Sequence, residues 1–101
     1  MVRTTPYSCM IQSFRHKGLR RFFVSGSLAG IQPAHAKRLR VQLSALDTSQ
    51  TIKDMAIPGF RLQALKGSER RRWSIVVNGN WRLTFEFRDG HAHIIDYEDY
   101  H

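Results

Sequence analysis

The sequence has little that would cross-link the chain or place it in a membrane. Its 101 residues include one cysteine, Cys9, which excludes an internal disulfide and any zinc site built on several cysteines. No apolar run approaches the length needed to span a bilayer. The N-terminus also lacks the apolar stretch of a signal peptide, so we expect a cytoplasmic protein that makes no membrane contact.

Acidic residues are also scarce. Eight Asp and Glu stand against 16 Lys and Arg, which gives a formal net charge of +8. Arginine outnumbers lysine by 12 to 4, and the forked guanidinium suits phosphate groups. This balance favours a polyanionic partner, although a small domain can also be basic for solubility alone. Outside residues 96–99, the chain lacks the clustered carboxylates typical of magnesium-dependent nucleases and phosphatases.

The sequence does contain enough apolar material for one core. Hydrophobic residues make up 42% of the chain and aromatic residues 11%, and a chain of this length forms one small domain. Residues 1–9 show no periodicity, so we expect a flexible N-terminal extension there. The domain itself is predicted to span residues 10–101, with Met10 as the functional start.

A predicted hairpin at the centre of the sequence organises the rest of the chain. The runs 73–77 and 81–87 each alternate with the period of a half-buried strand, and Asn78-Gly79-Asn80 suits the turn between them. A three-residue loop gathers the large apolar side chains on one face, whereas a slip of one residue would mix the faces. The predicted pairs are Val77 with Trp81, Ile75 with Leu83 and Trp73 with Phe85. Arg82 then projects from the opposite, polar face.

The remaining elements complete an α+β fold in which two N-terminal helices pack on a small, mostly antiparallel twisted sheet. The second helix carries the clearest core stripe, formed by Ala36, Leu39, Leu43 and Leu46. The other predicted elements are a strand over Met10–Phe14, helices over Arg15–Val24 and from Pro33, a helical turn within 47–56, a strand over Arg61–Leu65, a loop over Ser68–Arg72, a turn over Arg88–His91, and a last strand over Ala92–Tyr97.

Three features could carry chemistry, and each also has a plain structural interpretation. The first is the basic segment that holds Lys66, Arg70, Arg71 and Arg72, which as a charge run alone would be a solvated loop. The second is Asn80 with Arg82, where Arg82 could instead form an edge ion pair with Glu86 or Asp96. The third is the ending Asp99-Tyr100-His101, where last residues are often frayed. His91 and His93 share a strand face, but no third ligand is evident, so we expect no metal site.

Together these groups suit the cleavage of RNA by its own 2′-hydroxyl. That reaction needs a proton acceptor, a donor to the leaving oxygen, and cations where negative charge develops on the phosphate. Lysine and arginine supply the cations, whereas histidine and tyrosine can supply the acid and base. The reaction requires no metal and no other cofactor.

Several segments resemble the HigB toxins, a branch of the RelE-like superfamily, over residues 10–101. The segments that carry the resemblance are Met10–Leu19, Leu62–Gly67, Trp73–Ile75, Asn80–Phe85 and Asp96–His101. The resemblance implies the RelE-like microbial RNase fold and a type II toxin that cuts mRNA in the ribosomal A site. The implied partners are the ribosome, mRNA and a HigA-type helix-turn-helix antitoxin, with operator DNA bound only through the antitoxin.

The resemblance also implies roles for individual residues. Lys66 and Arg82 would stabilise the scissile phosphate, and Asn80 would help to read the A-site base. Asp99, Tyr100 and His101 would position or protonate the substrate, with the acid and the base not distinguished. Arg70, Arg71 and Arg72 would bind RNA.

Two departures from the family pattern leave alternatives open. Gln63 stands where relatives often have a histidine, and Asn78 stands where some relatives have an arginine. Gln63 cannot carry a proton, and Arg70, Arg71 or Arg72 would have to replace the missing positive charge. The alternatives to an active toxin are a non-catalytic basic module that binds RNA or the ribosome, and a weakened toxin that acts mainly in its antitoxin complex.

Overall fold

A computed structural model describes residues 11–65 and 72–100. The elements are α1 (Lys17–Ser25), α2 (Ala36–Thr48), β1 (Gln63–Ala64), β2 (Arg72–Asn78), β3 (Trp81–Arg88) and β4 (His91–Asp99). The strands form one antiparallel sheet in the order β1-β2-β3-β4. The predicted α+β architecture is therefore confirmed. The predicted extension at residues 1–9 lies outside the described residues.

Helix α1 is capped at both ends by local hydrogen bonds. The backbone N–H of Leu19 donates to Nδ1 of His16, and the N–H of Gly26 donates to the carbonyl of Phe22. Gly26 adopts a φ of 81°, the left-handed conformation that commonly ends a helix. Leu19 and Phe22 are buried, whereas Phe23 is 36% exposed and lies outside the core.

Helix α2 supplies the main contact of the helical layer with the sheet. Pro33 opens a 3₁₀ turn over Pro33–His35 that continues into α2, a position where its missing N–H costs nothing. The predicted stripe is confirmed, because all four of its side chains are buried. They join one core with the apolar face of the sheet, whose fully or almost fully buried members are Ile75, Val77, Leu83, Phe85 and Ile95.

The central hairpin keeps the predicted register along most of its length. Trp73 pairs with Phe85 and Ile75 pairs with Leu83, as predicted. Near the turn, however, Asn78 pairs with Trp81, and the register shifts between Val76 and Asn78. The three-residue loop is therefore wrong: a bulge in β2 takes up one residue, and Gly79-Asn80 make the turn.

The first described residues lie along β4, the strand at one edge of the sheet. Residues 11–14 form two isolated parallel bridges, Ile11 to Ala92 and Phe14 to Ile95, rather than the regular strand predicted there. Strand β4 itself runs two residues beyond Tyr97, where we predicted its end. The Asp89-Gly90 turn before it is confirmed, with φ angles of 53° and 78°.

The two remaining short segments agree with prediction in type but are shorter. A 3₁₀ helix covers Ile52–Met55 within the predicted helical turn, and β1 covers two residues of the predicted strand at Arg61–Leu65. None of the helices in residues 11–65 and 72–100 is long and apolar enough to cross a bilayer.

Candidate functional site

Arg82 lies on the sheet face opposite the helices, next to the β2–β3 turn. Its Nη1 donates to the carbonyl of Gly79 at 2.9 Å, which ties the guanidinium to the turn. Its Cζ lies 5.6 Å from the centre of the Tyr100 ring, within the range of a cation–π contact. The alternative ion pair of Arg82 is wrong, because the described acids pair elsewhere: Glu86 with Arg88 and Asp96 with Arg15.

Tyr100 is held in place by the backbone of the same turn. Its N–H donates to the carbonyl of Asn80 at 2.8 Å, which extends the β3–β4 pairing beyond the last residue of β4. The frayed tail that we considered at this end is therefore wrong for Tyr100. The structure thus brings Asn80, Arg82 and Tyr100 together at one end of the sheet.

The Tyr100 hydroxyl is held in its protonated form by its surroundings. Partial burial is the largest cause of the raised pKa of Tyr100, and the negative charges of Glu98 and Asp96 raise it further. The positive charges of Arg72 and Arg82 act in the opposite direction. At neutral pH the group is therefore a phenol that can donate a proton.

Asp99 takes a different position from its neighbours. It pairs with Trp81 across the ladder, and side chains alternate between the two faces of a strand. Asp99 therefore shares the face of Trp81 and Tyr97; burial is the main cause of the raised pKa of Tyr97, and the charge of Asp99 adds to it. The structure does not bring Asp99 onto the face of Arg82 and Tyr100.

The basic segment is described only at its last residue. Lys66, Arg70, Arg71 and His101 lie outside the described residues. Arg72 was predicted to lie in an exposed loop, which is wrong: it opens β2 and is 3% exposed. Its Nη1 donates to the carbonyl of Ile94 at 3.1 Å, and its Nη2 donates to Oγ1 of Thr84 at 2.9 Å.

Sequence reasoning missed two residues of this face, Thr84 and Glu98. The hydroxyl of Thr84 donates to Oε2 of Glu98 at 2.6 Å, and Glu98 pairs with Arg82 across the ladder. Thr84 is fully buried, although it lies on the polar face of the sheet. The available signal was the alternation of Arg82, Thr84 and Glu86 with the apolar residues of β3, which places Thr84 on the same face as Arg82.

A comparison with known families decides what kind of domain this is. The model of the HigB-like toxins, described as RelE-like toxins of the type II toxin-antitoxin system HigB, matches residues 12–101. The chain belongs to the HigB-like toxins. The resemblance noted from the sequence is thereby confirmed, as is the fold class that it implied.

Two relatives agree with this placement. Endoribonuclease HigB of Proteus vulgaris is 42% identical over 92 residues, which cover 91% of this chain and all of the relative. Toxin HigB-1 of Vibrio cholerae serotype O1 is 33% identical over 85 residues, which cover 82% of this chain and 90% of the relative. The HigB-like toxins are the toxins of type II toxin-antitoxin systems. Membership of this family agrees with the expectation that the chain has an antitoxin as a partner.

The two positions at which we expected this HigB-like chain to depart from its relatives lie in the first two strands. Gln63 is exposed in β1, where it pairs with Ser74, and Asn78 is exposed at the end of β2. Within residues 11–65 and 72–100, no group of three or more His, Cys, Asp or Glu side chains is arranged to hold a metal ion. His91 and His93 stand with their ring centres 6.4 Å apart.

On the helical side of the sheet, the HigB-like core contains a buried polar pair. Nδ1 of His35 lies 2.6 Å from the hydroxyl of Tyr97, which also accepts a hydrogen bond from the backbone N–H of Gln32. The ring of Trp81 packs 4.6 Å from that of Tyr97 and 5.5 Å from that of His35. Burial lowers the pKa of His35, so the folded protein keeps this imidazole neutral.

The stability of the protein is therefore expected to fall as the medium becomes mildly acidic. Below the ordinary histidine pKa of 6.5, the unfolded chain takes up a proton at His35 that the folded chain resists, which favours unfolding. Above that pH, His35 is neutral in both the folded and the unfolded chain, and its contribution to the stability of the folded state is fully present. Urea unfolding between pH 4.5 and 7.5 should show a wild-type free energy that rises more steeply with pH than that of His35→Gln. The matched control is His91→Gln, outside the buried pair, and parallel curves for wild type and His35→Gln would contradict the expectation.

Proposed function

We propose that this HigB-like toxin is a ribosome-dependent mRNA endonuclease that cuts mRNA in the A site through attack by the RNA 2′-hydroxyl. The observation that carries the proposal is the pairing of the Arg82 guanidinium with the Tyr100 phenol at one end of the sheet. A cation and a proton donor on a rigid support are what this reaction needs beside its phosphate. The endoribonuclease name of the Proteus vulgaris relative supports the same activity.

In the proposed reaction, the 2′-oxygen forms a bond to phosphorus and the bond from phosphorus to the 5′-oxygen breaks. Arg82, together with Lys66, stabilises the negative charge that develops on the phosphate oxygens. Tyr100, whose hydroxyl is protonated at neutral pH, donates its proton to the departing 5′-oxygen. His101 accepts the proton of the 2′-hydroxyl as its oxygen attacks phosphorus, and the products are a 2′,3′-cyclic phosphate and a free 5′-hydroxyl.

The remaining parts of the proposal concern binding and control. Asn80 lies exposed in the turn beside Arg82, where its amide can reach a base edge. Arg70 and Arg71 add positive charge for the RNA backbone. A HigA-type helix-turn-helix antitoxin neutralises the toxin in the cytoplasm, and the complex binds operator DNA through the antitoxin. No metal or other cofactor takes part.

Primer extension on mRNA held in purified ribosomes tests the proposal. The wild-type protein, added without metal beyond the Mg²⁺ that ribosomes need, should produce cuts within the codon in the A site. The same mRNA free of ribosomes should be cut slowly, because the ribosome presents the strand in a fixed geometry. Ribosome binding without any cut would support the non-catalytic binding module instead.

A further inference from the structure

Arg72 lies buried at the start of β2, and the protein itself satisfies its guanidinium. Two of its nitrogens donate to oxygen atoms at 2.9 and 3.1 Å, one on the side chain of Thr84 and one on the backbone of Ile94. A buried cation fixed in this way does not reach out to bind a ligand. Its role has to act through the groups that it holds.

The hydroxyl of Thr84 passes this constraint on to Glu98. Because the oxygen of Thr84 accepts from Arg72, its single proton is directed to Oε2 of Glu98 at 2.6 Å. A bond of this length to a carboxylate is charge-assisted, and the cation at the far end strengthens it. The three side chains therefore form a hydrogen-bonded chain from the start of β2, across β3, to β4.

Glu98 is the end of this chain that lies among the proposed active-site groups. It pairs with Arg82 across the ladder and precedes Tyr100 by two residues on the same face. Its charge is among the causes that raise the pKa of Tyr100. Among residues 11–65 and 72–100, no hydrogen bond or ion pair is seen for its second oxygen, Oε1.

We propose that Arg72 and Thr84 are positioning residues, which hold the Glu98 carboxylate beside Arg82 and Tyr100 and so fix the geometry of the reacting groups. This inference rests on the proposed function of the same site. The carboxylate lies across the ladder from the Arg82 guanidinium and precedes Tyr100 by two residues on the same face, so its direction sets the surroundings of both reacting groups. The hydrogen bond from Thr84 decides that direction.

Thr84→Val tests the proposal, because valine keeps the shape of threonine and removes the hydroxyl. We expect kcat for cleavage of ribosome-bound mRNA to fall by about 10- to 100-fold, the cost of misplacing a reacting group. KM should stay within about 2-fold, since the Thr84 side chain is fully buried and does not reach the RNA. Thr84→Ser keeps the hydroxyl and should stay within about 3-fold of wild type. Thr48→Val, at the end of α2 on the other side of the sheet, is the matched control and should cleave like wild type.

A second readout does not depend on cleavage. The titration of Tyr100, followed by NMR with ¹³C-labelled tyrosine, should move to lower pH in Glu98→Gln, where the charge is removed. Thr84→Val should move it part of the way, because the carboxylate is no longer held. Circular dichroism checks that each variant is folded. If Thr84→Val does not fold, Glu98→Gln is used in its place for both the cleavage and the titration measurements. Among residues 11–65 and 72–100, the charged groups that act on the Tyr100 hydroxyl are Glu98, Asp96, Arg72 and Arg82.

The outcomes separate this inference from the proposed function. If the wild type cuts and folded Thr84→Val has an unchanged kcat, the positioning role is overturned. If the wild type cuts nothing on ribosomes, the proposed function fails, and the titration of Tyr100 still decides whether Thr84 holds Glu98. A Tyr100 titration that is the same in wild type, Thr84→Val and Glu98→Gln would overturn the inference in either case.

Discussion

Arg82→Ala is expected to slow cleavage of ribosome-bound mRNA by about 10²- to 10³-fold, the loss typical when one preorganised donor to a developing charge is removed. The guanidinium is held to the Gly79 carbonyl and lies over Tyr100, so it needs no rearrangement when charge appears on the phosphate. Arg82→Lys should recover only part of the rate, because an ammonium keeps the charge but lacks the fork. Single-turnover primer extension on ribosomes measures the rate of each variant.

The matched control for this experiment is Arg88→Ala. Arg88 ends the same strand and loses the same unit of charge, but it pairs with Glu86 at the far end of β3. Any loss caused only by weaker attraction to RNA should appear equally in both variants. Equal rates for Arg82→Ala and Arg88→Ala, with both proteins folded, would remove Arg82 from the proposed reaction.

The parts of the fold that the sequence predicted depend on patterns of side chains along one segment. The stripe of α2 and the register of Trp73 with Phe85 follow from the placement of large apolar residues on one face. The bulge at Val77 does not follow from such a pattern. A two-residue loop combined with a bulge in β2 leaves the pairs Trp73–Phe85 and Ile75–Leu83 as they are in a three-residue loop without a bulge. The alternation of apolar residues therefore cannot distinguish the two arrangements.

In the candidate site too, features that depend on one segment could be predicted, and features that depend on distant contacts could not. The placement of Arg82 on the polar face followed from the alternation of β3, and the interest of Tyr100 came from its position at the end of the chain and from the family resemblance. The burial of Arg72 and Thr84 could not be predicted, because it depends on contacts with Ile94 and Glu98, which are 14 to 22 residues away. A basic run therefore suggested an exposed loop, while its last residue lies inside the fold.

Phe85→Ala is expected to cause the largest loss of stability, about 3–5 kcal/mol in the free energy of unfolding. Phe85 is fully buried in the apolar face of the sheet and pairs with Trp73, so truncation leaves a cavity against the helical layer. Since small domains are stable by only about 5–15 kcal/mol, this loss is a large share of the total. Urea unfolding should show a lower midpoint with an unchanged slope.

The chain offers a close control in Phe23→Ala. Phe23 is 36% exposed and packs beside Phe14 at 5.6 Å between ring centres, so the same truncation should cost about 0.5–1.5 kcal/mol. Phe85 directly follows Thr84 in β3, and the packing of one face of that strand therefore fixes the position of groups on the other. Equal losses of stability in the two variants would mean that Phe85 contributes no more to the core than an exposed phenylalanine. The packing beneath β3 would then not explain how Arg82 and Thr84 are held in place.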